Sequence, residues 1–186
     1  MRLFVALSLP DAVCQSLLAL QGGVPGARWQ TRDQLHLTLR FIGEVDGREM
    51  AAIDDALSAI AAPAFTLELK GVGSFGGKIP RDLWAGTRPN EALNHLQRKI
   101  ESALQRIGLP AETRKYTPHV TLARLKGSQN GRVADFLTHH ALYASGEFPV
   151  HGFVLYSSKT TSGGSIYRAE KAYGLAKNTE PARNRR

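Results

Sequence analysis

Cysteine is almost absent: the 186 residues include one, Cys14. A lone thiol excludes an internal disulfide, leaves no cysteine cluster for zinc, and fits a reducing cytoplasm, the location expected for the protein. A membrane-spanning run is missing as well, because the longest apolar stretches, such as Ile53 to Phe65, are interrupted by Asp54, Asp55 and Ser58. Met1-Arg2-Leu3-Phe4-Val5-Ala6-Leu7 leads into Pro10-Asp11 without a cleavage site and is read as a first strand, not a signal peptide. Two familiar catalytic signatures are lacking. No Gly-x-Ser-x-Gly supplies a nucleophile elbow, and the glycines from Gly71 to Gly77 precede neither Gly-Lys-Ser/Thr nor a helix, which excludes a nucleotide-type phosphate loop.

Acidic residues are scarcer than basic ones, 16 against 24, for a formal net charge of +8. Residues 176–186 carry Lys177, Arg183, Arg185 and Arg186 against Glu180, so +3 of that excess belongs to a segment without apolar periodicity, expected to be a disordered basic tail. The remaining +5 favours a polyanionic partner such as RNA, DNA or a phosphorylated ligand.

What is present is ordinary globular material: 42% apolar and 22% charged residues in a chain whose length fits one domain, over residues 1–175. Alternation predicts strands over residues 2–9, 34–42, 65–72, 82–87, 119–125, 148–157 and 165–172, with a loop containing Trp29 before the second. Helical spacing predicts helices over residues 11–21, 47–61 and 131–140. It also predicts one capped by Asn90, with Leu93, Leu96, Ile100, Leu104 and Ile107 on one face. The expected class is α+β, with two pseudo-symmetric lobes, each an antiparallel sheet with helices on its outside, around a central cleft.

The feature that orders the chain is a repeat. Leu35-His36-Leu37-Thr38-Leu39 is echoed 83 residues later by Pro118-His119-Val120-Thr121-Leu122. In a strand, successive side chains point to opposite faces, so His36 and Thr38 share one face while the leucines take the other; His119 and Thr121 do the same. One such element alone is a half-buried strand with a surface histidine. Two copies of His-apolar-Thr-apolar would arise by chance in only about 0.2% of such compositions. The other histidines, His95, His139, His140 and His151, read as surface residues, His139 and His140 at a helix end and His151 on a strand.

If the two strands face one cleft, two imidazoles and two hydroxyls converge. Imidazole titrates near neutrality and serves as proton donor or acceptor, and two of them flanking a phosphorus centre suit in-line displacement. Threonine hydroxyls and a cation can hold the phosphate oxygens. Two histidines without an acidic or cysteine partner in the motif make a poor zinc site, so no metal or other cofactor is expected. A cleft that binds RNA ends without turnover remains the reading from another class. By parity, Arg40 falls on the His36 face, and Arg124 falls on the face opposite His119, reaching the cleft only if the strand bends. Trp29, Phe41, Tyr116 and Trp84 are candidates for base stacking, with core packing as the default for each.

The two motifs, the opening Arg2-Leu3-Phe4-Val5-Ala6-Leu7, Arg40-Phe41-Ile42-Gly43-Glu44, Phe75, Pro80-Arg81-Asp82-Leu83-Trp84-Ala85-Gly86, Tyr116-Thr117-Pro118 and Leu155-Tyr156-Ser157 together resemble the two-histidine (2H) phosphoesterase superfamily. The similarity is to its RNA 2′,3′-cyclic phosphodiesterase branch, historically called 2′-5′ RNA ligase. The resemblance covers about residues 1–175 and implies a bilobal fold that hydrolyses a terminal 2′,3′-cyclic phosphate to a 2′-phosphomonoester without a metal. It implies His36 as proton donor to the leaving 3′-oxygen and His119 as the acceptor that activates water. Thr38, Thr121 and Arg124 correspond to the phosphate-binding positions. The partner so implied is an RNA or nucleotide with a 2′,3′-cyclic phosphate end, and no membrane; reversible 2′-5′ ligation of tRNA halves would use the same residues.

Overall fold

The computed structural model describes residues 1–127, 130–161 and 164–176. Among these residues, nine strands and four helices follow in the order β1 (Arg2–Leu7), α1 (Asp11–Leu18), β2 (Ala27–Trp29), a 3₁₀ turn (Arg32–Gln34), β3 (Leu37–Glu44), α2 (Gly47–Ser58), β4 (Phe65–Gly73), β5 (Asp82–Thr87), α3 (Glu91–Arg106), β6 (His119–Leu125), α4 (Asn130–His139), β7 (Ala144–Val150), β8 (Gly152–Thr161) and β9 (Gly164–Gly174). Helix α3 forms where the stripe predicts it: Leu93, Leu96, Ile100 and Leu104 are buried, Ile107 caps the C-terminal end and is exposed, and Asn90 accepts from the Leu93 N–H at 2.8 Å. Asp46 caps α2 by accepting from the N–H groups of Arg48 and Glu49, while Glu49 accepts from the N–H of Asp46.

The strands pair in the order β7-β4-β5-β6-β3-β1-β8-β9, every named neighbour antiparallel. This ribbon is two four-stranded halves of matching layout, β3-β1-β8-β9 and β6-β5-β4-β7, joined along β3 and β6 by one residue pair, Leu37↔Val120. Both residues of that pair are fully buried and belong to a single apolar core that runs from Leu3 to Tyr173. The α+β reading with two antiparallel lobes therefore holds, and the halves are fused at their innermost strands.

Two departures from expectation have physical causes. The stretch predicted as one strand over residues 148–157 is two: β7 pairs with β4 in one half, the chain turns at His151, and β8 pairs with β1 in the other half. The β-favouring pattern runs through the turn unbroken; its signal is Gly152, where a Cβ would stand 2.5 Å from the Tyr173 carbonyl oxygen. His151 accordingly lies between strands. The segment read as a loop around Trp29 contains β2, which pairs with β6 ahead of β3, so that β2 and β3 form an interrupted strand along one edge of β6. At the far end Ala176 bridges to Pro63; the remainder of the expected tail, 177–186, lies outside the described residues.

Candidate active site

The Leu37↔Val120 pair fixes the geometry of the repeat. In an antiparallel register, residues one step out on either side also come opposite each other, which sets His36 against Thr121 and Thr38 against His119. With Leu37 and Val120 in the core, all four side chains project from the other face of the sheet. His36 sits one residue before β3, and His119 is the first residue of β6. Tyr116 links the halves further by donating its hydroxyl to the Thr38 carbonyl at 3.4 Å.

Each imidazole is tethered in the same way. His36 Nδ1 bonds the Gln34 carbonyl at 2.8 Å, and His119 Nδ1 bonds the Thr117 carbonyl at 2.7 Å. A carbonyl only accepts, so Nδ1 carries hydrogen on both rings and Nε2 is the nitrogen that gains or loses a proton. Gln34 is itself held in place: its side chain accepts from the Thr31 N–H at 3.0 Å and donates to the Ser165 carbonyl at 2.8 Å.

The surroundings of the two rings differ. His36 packs on Phe4 at 4.9 Å and meets the edge of Tyr167 at 5.0 Å, with Tyr156 behind Phe4. Burial pushes its pKa down to about 4; the Gln34 carbonyl opposes this, and His119 and Arg124 add to it. His119 meets Phe75 edge-on at 5.0 Å and Trp84 at 6.0 Å. Its pKa is also lowered, chiefly by burial and slightly by Arg124, against the Thr117 carbonyl and the Asp82 carboxylate, which favour the charged ring.

Strand bulges overturn the parity argument for both arginines. Between β5 and β6 the register runs Asp82↔Arg124, Leu83↔Ala123 and then Trp84↔Thr121, so Leu122 is an extra residue. After it the strand's faces exchange, and Arg124 comes to the face of His119 and Thr121 while Leu122 and Ala123 are both buried. Between β1 and β3 the register runs Ala6↔Thr38 and then Val5↔Arg40, so Leu39 is the extra residue at the corresponding place. Here the exchange turns Arg40 away from the His36 face into an ion pair with Glu101 on α3, and brings Phe41 to the cleft face beside Phe4.

Asp82 is the residue that sequence reasoning passed over. Buried on β5, it accepts from the Phe75 N–H at 2.8 Å and pairs with Arg124 at 3.4 Å, and so holds the His119 wall and the neighbouring cation together. Its only sequence signal is its place in the segment 80–86. Tyr167, a hairpin away from any motif, has no local signal at all. Of the four stacking candidates, Phe41 and Trp84 lie on the cleft face. Trp29 packs against Phe136 on the core side, and Tyr116 serves the link between halves. Trp84 lies flat over Gly73, where a Cβ would stand 2.2 Å from the indole. Among the described residues no group of three or more His, Cys, Asp or Glu side chains is placed to hold a metal ion, and no helix is long and apolar enough to cross a membrane.

A sequence model of the 2′-5′ RNA ligase superfamily matches residues 9–161. The RNA 2′,3′-cyclic phosphodiesterase of Archaeoglobus fulgidus is 31% identical over 172 residues, spanning 90% of this chain and 97% of that protein. Among solved structures, TT0787 of Thermus thermophilus superposes with a TM-score of 0.81 at 25% identity, covering 96% of this chain and all of that one. Escherichia coli LigT complexed with 3′-AMP superposes with a TM-score of 0.77 at 26% identity over 94% and 97% of the two chains.

Proposed function

Because this chain belongs to the 2′-5′ RNA ligase superfamily, we propose that it hydrolyses 2′,3′-cyclic phosphate ends of RNA to 2′-phosphomonoesters by acid/base catalysis between His36 and His119. The observation that carries the reading is the matched tethering of the two rings, each Nδ1 on a main-chain carbonyl two residues back and each Nε2 left as the titrating nitrogen. His119 Nε2 takes a proton from water as the water oxygen attacks phosphorus. The bond from phosphorus to O3′ breaks on the opposite side, and O3′ takes the proton from His36 Nε2. Proton exchange with solvent then resets the pair.

Thr38, Thr121 and Arg124 hold the non-bridging oxygens, and Asp82 positions Arg124. A bound cyclic phosphate adds negative charge beside both rings and raises their proton affinity, which brings His36 from about 4 toward the range in which it is charged. A ring whose charged form is poorly solvated is also a strong proton donor once protonated. The catalytic unit is residues 1–175, the tail standing outside it, and the working compartment is the cytoplasm.

The test is a product assay on an RNA ending in a 2′,3′-cyclic phosphate, with EDTA present. A 2′-phosphate product supports the reading. A 3′-phosphate product, a ligated product or an unchanged end overturns it.

A further inference from the structure

Across the β2–β6 pairing, Arg28 stands directly opposite Arg124. Their neighbours Ala27, Trp29, Ala123 and Leu125 pack toward the core, so both arginines project from the cleft face. Like charges set directly opposite on one sheet face are unfavourable unless something anionic lies between or beyond them. Asp82, one strand further along the same row, pairs with Arg124. Among the described residues no carboxylate lies within ion-pair distance of Arg28, which is solvent-exposed. The two guanidiniums diverge: that of Arg124 leans toward β5, while that of Arg28 leans toward the start of β9, 3.7 Å from where a Cβ on Gly164 would stand.

Resting on the hydrolase reading above, we propose that Arg28 is a second anion contact, which binds the 5′-phosphate of the terminal nucleotide while Arg124 serves the cyclic phosphate. Side chains rooted about 5 Å apart on paired strands and splayed outward suit two phosphates joined through one nucleoside. A nucleoside 2′,3′-cyclic phosphate lacks the second of these groups; an oligonucleotide end has it. Arg28 thereby makes the site discriminate in favour of RNA ends over free cyclic mononucleotides.

The experiment compares adenosine 2′,3′-cyclic phosphate with the dinucleotide ApA bearing the same cyclic end. Arg28→Gln is expected to lower kcat/KM for the dinucleotide about tenfold more than for the mononucleotide, the size of one charge-assisted phosphate contact, chiefly through KM. Arg28→Lys, which keeps the charge, should recover part of the difference. The salt dependence measured with the dinucleotide should flatten by roughly one phosphate contact in Arg28→Gln. Equal losses on the two substrates, or none on either, overturn the assignment. If the wild type turns over neither, the hydrolase reading fails, and the affinity ratio of the two ligands, measured by calorimetry on wild type and Arg28→Gln, still decides the role of Arg28.

Discussion

The half built on β3 and the half built on β6 use the same backbone device for opposite ends. Each carries a histidine tied by Nδ1 to the carbonyl two residues back, a threonine two residues on, and an extra residue at the next position, Leu39 or Leu122, that exchanges the faces of the strand. What the exchange delivers to the cleft differs. In the first half it is Phe41 opposite Phe4, an aromatic pair; in the second it is Arg124 opposite Asp82, an ion pair. Burial lowers the proton affinity of both rings, His36 against Phe4 and Tyr167 and His119 against Phe75 and Trp84, and at His119 the Asp82 carboxylate opposes it. What the two halves present differently to the cleft is the residue five places after each histidine, not the motif itself.

The largest effect is expected from removing either ring. His36→Ala and His119→Ala are each expected to lower kcat on a 2′,3′-cyclic end by about 10²- to 10⁴-fold with the melting temperature little changed, the loss that the proposed proton-transfer roles require. Near-wild-type turnover in either variant would sink the two-histidine mechanism. The next largest effect separates the walls. Arg124→Gln should cost about 10²-fold in kcat/KM, as expected for a lost donor to developing charge. Phe41→Leu, at the equivalent place in the other half, should cost far less on a cyclic mononucleotide. Equal losses would mean that the two walls do not divide their work in this way.

The exchange of faces is also what local sequence does not encode. The His-x-Thr repeat was legible because everything that defines it lies within four residues, and alternation alone puts its four polar side chains on one face. Helix α3 was legible for the same reason, its stripe and its Asn90 cap being local. Strict alternation puts Arg40 and Arg124 each on the wrong face, and for Arg124 only the family resemblance points to the cleft, because a bulge at an ordinary leucine leaves no local mark; it exists only in the register with a neighbouring strand. The split of residues 144–161 between two halves was hidden likewise, since β-favouring alternation runs through the turn at His151. The Asp82–Arg124 pair joins residues 42 apart and becomes visible only once β5 lies beside β6.

A smaller but cleaner probe reads the two pKa values directly. In the free protein the His36 ring is expected to titrate near 4, and that of His119 below its ordinary value but less far, followed by the ring ¹⁵N shifts in NMR. Inorganic phosphate in the cleft should raise both. For stability the sign follows from His36 binding its proton less readily in the folded chain. The stabilisation is whole above about 6.5 and is lost as the pH falls through 4, so acid should unfold the wild type along a slope that His36→Gln flattens. An unaltered slope would show that the aromatic wall does not depress the ring. With chemistry rate-limiting, the pH–rate profile should be bell-shaped.

The least effect is expected where the halves meet. Tyr116 donates to the Thr38 carbonyl at 3.4 Å, a long bond, and burial pushes its pKa up, so the phenol stays a donor across the working range. Tyr116→Phe keeps the ring and loses only this bond, worth about 0.5 kcal/mol at that length. If the Leu37↔Val120 pair and the shared core set the spacing of His36 and His119, kcat should fall by no more than about twofold, the rate equivalent of that energy. A loss approaching that of Arg124→Gln would instead assign the spacing of the half-sites to this hydrogen bond, and the single β3–β6 pair would then be a consequence of the alignment of the halves, not its cause.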